Sequence, residues 1–229
     1  MAMLSDSDAK EVTEIFGALE SDVHVRVYTQ RLECPTCQDT ETILRELDAL
    51  SDRLKVRFLN PQTDREEAER DGVEMAPAII VSDGTHSRVK FYGTPSGYEF
   101  SSLLTAIVDS GGAEEPLAPE SREFLDDLED DLLMQVFVTP ACPHCPSAAV
   151  LACRMAMYSD KVRSEVIEAG EFQELSRKFR VQGVPRTVIN GTFFAEGALP
   201  ESMVVKALKI GLEESPSGEK NLMDYLQTG

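Results

Sequence analysis

Two short motifs hold the chemistry of this chain. Cys34-Pro35-Thr36-Cys37 and Cys142-Pro143-His144-Cys145 are Cys-x-x-Cys pairs, and they use four of its five cysteines. In disulfide exchange a thiolate attacks a disulfide sulfur, and a second thiol within reach then resolves the mixed disulfide. Cysteines three residues apart at the start of a helix lie one turn from each other and meet that requirement. The spacing predicts the first Cys at a helix N-cap and the Pro at the first helical position, where its missing N–H costs nothing. The unsatisfied backbone N–H groups there stabilise a thiolate. The same residues are metal ligands too, and two pairs could supply four thiolates to a zinc ion. Zinc modules usually hold their pairs about 15–20 residues apart, whereas these lie 142 − 34 = 108 apart.

The offset of 108 recurs. Ala76-Pro77-Ala78-Ile79-Ile80 and Val184-Pro185-Arg186-Thr187-Val188 stand 185 − 77 = 108 residues apart, so each Cys pair has a Pro and a strand at one distance downstream. The chain therefore reads as a tandem duplication, with units over 1–113 and 114–229 and a boundary in Gly111-Gly112-Ala113-Glu114-Glu115-Pro116. Periodicity gives both units the same elements. A helix (Asp8 to Leu19; the Phe124, Leu125, Leu128 stripe) leads to a strand (Val23, Val25, Val27; Leu133 to Val138). A helix after the Cys pair (Thr40 to Leu50; Ser147 to Tyr158) and a second strand follow (Leu54 to Leu59; Val162 to Ile167). Then come an acidic helix, the Pro, a hairpin turning at Asp83-Gly84 or Asn190-Gly191, and a last helix (Tyr98 to Val108; Pro200 to Leu212). The expected fold class is α/β, two tandem units each with a mixed four-stranded sheet flanked by helices.

Composition narrows the function classes. The 229 residues carry 22 basic and 41 acidic groups, a net charge of −19, which disfavours nucleic acid as a partner. Five cysteines are too few for a disulfide scaffold. The longest run free of formal charge, Leu132 to Cys153, is broken by Pro140, Pro143 and Pro146 and is unsuited to span a membrane. With MAMLSDSDAK at the start and no basic, apolar leader pattern, a cytoplasmic protein is expected.

A strand, Cys-Pro-x-Cys, a helix, and Ala-Pro or Val-Pro before a hairpin resemble the thioredoxin and glutaredoxin superfamily. Two copies resemble, more narrowly, the protein disulfide oxidoreductases built of two fused thioredoxin-fold units and described as glutaredoxin-like. The resemblance implies redox-active disulfides Cys34–Cys37 and Cys142–Cys145 and no other cofactor or metal. It also implies cis prolines at Pro77 and Pro185, with Ala76 and Val184 offering backbone to an extended substrate. Implied partners are protein disulfides, a flavoenzyme of the thioredoxin-reductase type, and a peroxiredoxin if the chain is instead an electron shuttle; a zinc-binding protein is the non-enzyme alternative. The aromatic residue that precedes the first Cys in thioredoxins is replaced by Glu33 and Ala141, and the glutaredoxin Gly-Gly and acidic cap for glutathione is missing. Thioredoxins also place a buried acid beneath the Cys pair, and the sequence matches no residue to it.

The two centres are not expected to be equivalent. Residues 1–115 hold 11 basic and 23 acidic groups (−12), and residues 116–229 hold 11 and 18 (−7). Glu33, Asp39 and Glu41 surround the first pair and oppose a thiolate at Cys34. No acid occurs from Leu132 through Ser159, and His144 between the second pair favours a Cys142 thiolate. Cys142 is thus the expected nucleophile, Cys145 the resolving thiol and His144 the tuning residue. Pro146 is expected to loosen the helix start, and Ala148, Ala149, Met155 and Met157 form either an adaptable rim or a buried face. Cys153 is an expected core residue.

Overall fold

A computed structural model describes residues 3–113, 116–213 and 220–221. Backbone contacts divide the chain into two compact units, 1–96 with 103–115, and 97–102 with 116–229.

In the first unit the elements are α1 (Asp6–Phe16), β1 (Val23–Tyr28), α2 (Cys37–Asp48), β2 (Leu54–Leu59), α3 (Arg65–Asp71), β3 (Ala78–Ser82) and β4 (Val89–Tyr92), followed by α4 (Tyr98–Val108). Ser5 caps α1 in a reciprocal bond with Asp8, a capping box that starts the helix two residues before the expected Asp8. The strands run in the order β2-β1-β3-β4. β1 is parallel to β2, with Val23 opposite Leu54, and antiparallel to β3, with Arg26 opposite Ile80. Val23, Val25, Val27, Ile79, Ile80, Ile43, Leu44 and Leu47 form the buried core.

The second unit repeats the frame with α5 (Pro119–Asp126), β5 (Leu132–Val138), α6 (Cys145–Tyr158), β6 (Val162–Glu168), α7 (Gln173–Lys178), β7 (Arg186–Ile189), β8 (Phe193–Glu196), α8 (Glu201–Glu213) and β9 (Lys220–Asn221). Its order is β6-β5-β7-β8-β9, with Gln135 opposite Val188 as Arg26 is opposite Ile80. The fifth strand, β9, lies parallel to β8 and has no counterpart among the described residues of the first unit.

Of the two expected hairpin turns, one departs from expectation. The Asn190-Gly191 turn is tight, both residues at positive φ (46° and 72°), as a short hairpin with native twist requires. Asp83-Gly84 instead opens a six-residue loop between β3 and β4. The Ser82 hydroxyl accepts the Gly84 and His86 N–H groups, and Asp83 Oδ1 accepts from Thr85, so side chains rather than a ladder close the loop.

Candidate active site

Both Cys pairs lie where a sheet strand ends and a helix begins, and within each pair the sulfurs are bonded to each other. The Cα atoms are 5.4 Å apart in Cys34–Cys37 and 5.5 Å apart in Cys142–Cys145. The helices start later than the motif suggested. α2 begins at Cys37 with Thr36 as N-cap, and α6 begins at Cys145 with His144 as N-cap, so Cys34 and Cys142 stand in the turn before the helix. In α6, Pro146 has no N–H to give the Cys142 carbonyl, although α2 starts at the same place with Gln38 in that position. That carbonyl instead accepts the Cys145 N–H at 3.3 Å. Pro146 thus occupies the second helical position, where no intrahelical bond is lost. Of the expected face, Ala149 and Met155 are core while Ala148 and Met157 are half-buried; Cys153 is core as expected, its Sγ 3.7 Å from Ser164 Oγ.

Around the first pair, Cys37 is buried, Cys34 half-buried and Pro35 exposed. The Gln30 N–H donates to Cys37 Sγ at 3.3 Å. Thr40 donates to the Thr36 carbonyl at 3.1 Å and lies 3.0 Å from the Thr94 hydroxyl, tying the helix start to the segment after β4. Glu33 takes φ +57°, an uncommon setting for a residue with a side chain. A polar cleft of about 830 Å³ opens beside Cys34, with Arg31, Glu41, Arg45 and Phe58 among its walls. The acids counted around this pair therefore share their surface with two arginines, and Arg45 donates to Glu41 at 2.6 Å.

The second pair is more enclosed. Cys145 is fully buried and Cys142 only 9% exposed, while His144 is exposed. The Val184–Pro185 peptide is cis, as is Ala76–Pro77. Cys142 Sγ lies 3.7 Å from the Val184 carbonyl oxygen, so the strand-pairing candidate and the sulfur are brought together. The Gly197 N–H holds the Pro185 carbonyl at 2.8 Å, and Gly93 does the same for Pro77 at 3.1 Å.

One group escaped the sequence. Glu99, in the first turn of α4 and within the second unit, is 3% exposed, and neither carboxylate oxygen has a hydrogen-bond partner among the described residues. Burial pushes its carboxyl up from the ordinary 4.5 to about 7, with the Glu168 carboxylate acting in the same direction and Ser102 against it. The turn is tied to the segment that leads into the second pair. Tyr98 donates its N–H to the Pro140 carbonyl at 3.0 Å, two residues before Cys142, and a Cβ on Gly97 (φ +57°) would strike that same carbonyl. Glu99 is the one acid in the apolar run Tyr98–Val108, and that isolation was its signal.

Comparison with known proteins agrees with this geometry. Residues 132–209 match the family model described as Thioredoxin domain. The chain superposes with a TM-score of 0.84 on a protein disulfide oxidoreductase from Aeropyrum pernix, 26% identical, covering 90% of this chain and 92% of that one. The alkylhydroperoxide reductase AhpF from Enterococcus faecalis superposes with a TM-score of 0.82 at 23% identity, over 90% of this chain and 99% of that chain, a likeness of fold. In sequence, the alkyl hydroperoxide reductase AhpF of Escherichia coli is 24% identical over 81% of this chain, and the chain spans 34% of that relative's length. Two mixed α/β units with a disulfide at the head of a helix in each are the thioredoxin fold twice over. The thioredoxin-domain match lies in the second unit, and the first unit repeats that frame with its own Cys-x-x-Cys disulfide. No helix among the described residues is long and apolar enough to cross a membrane.

Proposed function

We propose that the chain moves electron pairs between protein disulfides and dithiols, with the Cys142–Cys145 centre meeting the substrate and Cys34–Cys37 acting as a second dithiol. The observation that carries this reading is the Val184 carbonyl beside Cys142 Sγ at 3.7 Å. A substrate strand pairing with the Val184 backbone would present its disulfide to that sulfur. In the reducing direction the Cys142 thiolate attacks one substrate sulfur and the other leaves as a thiolate. Cys145 then attacks Cys142, the second substrate sulfur departs, and the protein keeps the disulfide, two electrons poorer. Exposed His144 favours the Cys142 thiolate. Ala76 and Pro77 serve the first centre as Val184 and Pro185 serve the second. A thioredoxin-reductase-type flavoenzyme in the cytoplasm is the source of reducing equivalents. Insulin reduction is the test. Cys142→Ser removes activity more than a hundredfold and Cys34→Ser lowers it less, while full activity in the Cys142 variant contradicts the assignment.

A second reading is an electron shuttle to a peroxiredoxin, favoured by the likeness to the alkyl hydroperoxide reductase AhpF in sequence and fold. Peroxiredoxin-coupled NAD(P)H consumption measured beside refolding of a scrambled disulfide protein separates the two. Turnover in the first assay alone selects the shuttle.

A further inference from the structure

The cleft beside Cys34 has no counterpart in the wall chemistry of the other repeat. At the offset of 108, Gln38, Glu41, Thr42 and Arg45 of α2 correspond to Pro146, Ala149, Val150 and Cys153 of α6. In α6 that face is apolar, and Ala149 and Cys153 are buried. In α2 it is one wall of an open space of about 830 Å³, within the roughly 300–1,000 Å³ of small-molecule sites. The walls carry both signs of charge. Arg45 lies over the Phe58 ring at 4.0 Å and sends Nε and Nη2 to Glu41 Oε1, leaving its Nη1 and Glu41 Oε2 without a partner among the described residues. Arg31 makes no hydrogen bond or ion pair among the described residues, and Asp64 faces the same space while accepting the Asn60 N–H at 2.7 Å.

From these features we infer that the cleft binds a small zwitterionic disulfide, that of an amino acid such as cystine, and delivers it to Cys34. Cystine carries two carboxylates and two ammonium groups. The carboxylates meet Arg31 and Arg45, and the ammoniums meet Glu41 and Asp64. A net anion would be repelled by the charge of −12 on residues 1–115, whereas a zwitterion is not. This deepens the disulfide-exchange reading and rests on it. The Cys34 thiolate attacks one cystine sulfur and the first cysteine leaves as its thiolate. The Cys37 thiolate then attacks Cys34 and releases the second. Cystine gains two electrons and becomes two cysteines, and Cys34–Cys37 becomes a disulfide.

The test uses full-length Cys142→Ala/Cys145→Ala protein, reduced and desalted, with thiol loss followed by stopped flow. Expected is a rate that saturates with L-cystine and rises linearly with neutral bis(2-hydroxyethyl) disulfide. Arg31→Gln and Arg45→Met should each raise the half-saturating cystine concentration about tenfold by deleting a charge-assisted bond. Equal, linear rates for the two disulfides, unchanged saturation in both Arg variants, or tighter saturation by anionic glutathione disulfide each overturn the inference. Oxidation by the neutral disulfide alone leaves the exchange reading standing, and no oxidation by any disulfide removes it. Should the double variant misfold, mass mapping of the reduced unmodified chain decides. Cystine must oxidise Cys34–Cys37 before Cys142–Cys145, and the reverse order sinks the proposal.

Discussion

Tyr28 and Phe137 occupy one slot in two copies of one frame, each two residues beyond the pair that sets strand register, Arg26 opposite Ile80 and Gln135 opposite Val188. Their neighbours across the slot, 108 residues apart, are Asp71 and Phe179. In the first unit the contact is a hydrogen bond, Tyr28 Oη donating to Asp71 Oδ2 at 2.6 Å, joined by Arg26 Nε at 2.6 Å and the Ser87 hydroxyl at 2.7 Å. In the second it is two rings with centroids 5.8 Å apart and planes tilted by 57°. A duplicated backbone tolerates either solution because sterics define the slot and chemistry need only be consistent within it. The two solutions fail differently. An apolar pair loses area gradually, but a buried charge network loses its balance when one member goes.

That difference gives the largest expected effect. Asp71→Ala leaves the Tyr28 hydroxyl without its acceptor and the Arg26 charge without its carboxylate, Arg26 keeping only the neutral His86 carbonyl and Ser87 hydroxyl, and should cost about 3–5 kcal/mol. Phe179→Ala removes a half-exposed ring and should cost about 1–2 kcal/mol. Moving the second unit's solution into the first, Arg26→Gln/Tyr28→Phe/Asp71→Phe, should recover much of the loss. Denaturant unfolding of the three proteins measures it, and a Phe179→Ala penalty as large as that of Asp71→Ala breaks the comparison.

The carboxylates of the two units also respond to pH in opposite senses. Burial alone would raise the Asp71 carboxyl, but the bonds from Tyr28, Ser87 and Arg26 outweigh it and hold it below the ordinary carboxylate range. Its contribution is complete above the unfolded value near 3.8 and is lost as pH falls through the folded one. Glu99 runs the other way, from 4.5 to about 7. Below 4.5 it is protonated folded or unfolded; between there and 7 only the unfolded chain ionises, so stability falls as pH rises, with the full penalty reached above 7. At about 1.4 kcal/mol per unit the ceiling is about 3 kcal/mol, and about 2 kcal/mol is the working figure once the site relaxes. Glu99→Gln should therefore match the parent at pH 4.5 and melt several degrees higher at pH 8.5. A constant difference across that range would remove the buried ionisation.

How much of this was legible depended on whether one stretch of chain carried its own signal. β2 and α4 appear at the residues that alternation and helical spacing indicated, Leu54–Leu59 and Tyr98–Val108. The sulfur pairs and both X-Pro positions were fixed by their common offset, because repeated chemistry at one distance is a long-range signal. The helix starts were misplaced because the Cys-Pro motif fits an N-cap locally, yet both helices begin three residues after the first Cys; Pro146 withholds the cap bond in α6, but Gln38 stands there in α2, so proline is not the common cause. Glu99 was hidden by topology. It precedes the boundary in sequence yet clusters with the residues after it, so aligning the repeats sets it against Ala207 instead of among the elements of the second unit it joins. The cleft at Cys34 was hidden because Gln38, Glu41, Thr42 and Arg45 read as a solvated helix face; only the placement of Phe58 and Arg31 around them makes a cavity.

The smallest expected effect sharpens the comparison at its finest grain, the residue before each first cysteine. Glu33 holds φ +57°, where a side chain is strained and Gly is not. Ala141, its counterpart, is absent from the residues at positive φ. Glycine should therefore act with opposite signs at the two places. Glu33→Gly relieves strain in the folded chain, and although Gly frees the unfolded chain, a net gain of about 0.5–1 kcal/mol follows. Ala141→Gly has no strain to relieve and should lose about 0.4–1 kcal/mol through the unfolded state alone. Glu33→Gly also deletes a charge beside Cys34, so Glu33→Asn, which tolerates the left-handed region, serves as the charge control. Paired thermal melts at two salt concentrations separate the terms, since charge repulsion is screened and backbone strain is not. A stabilisation by Glu33→Gly that vanishes at high salt would assign the effect to charge, and equal losses at both positions would erase the backbone difference between the two centres.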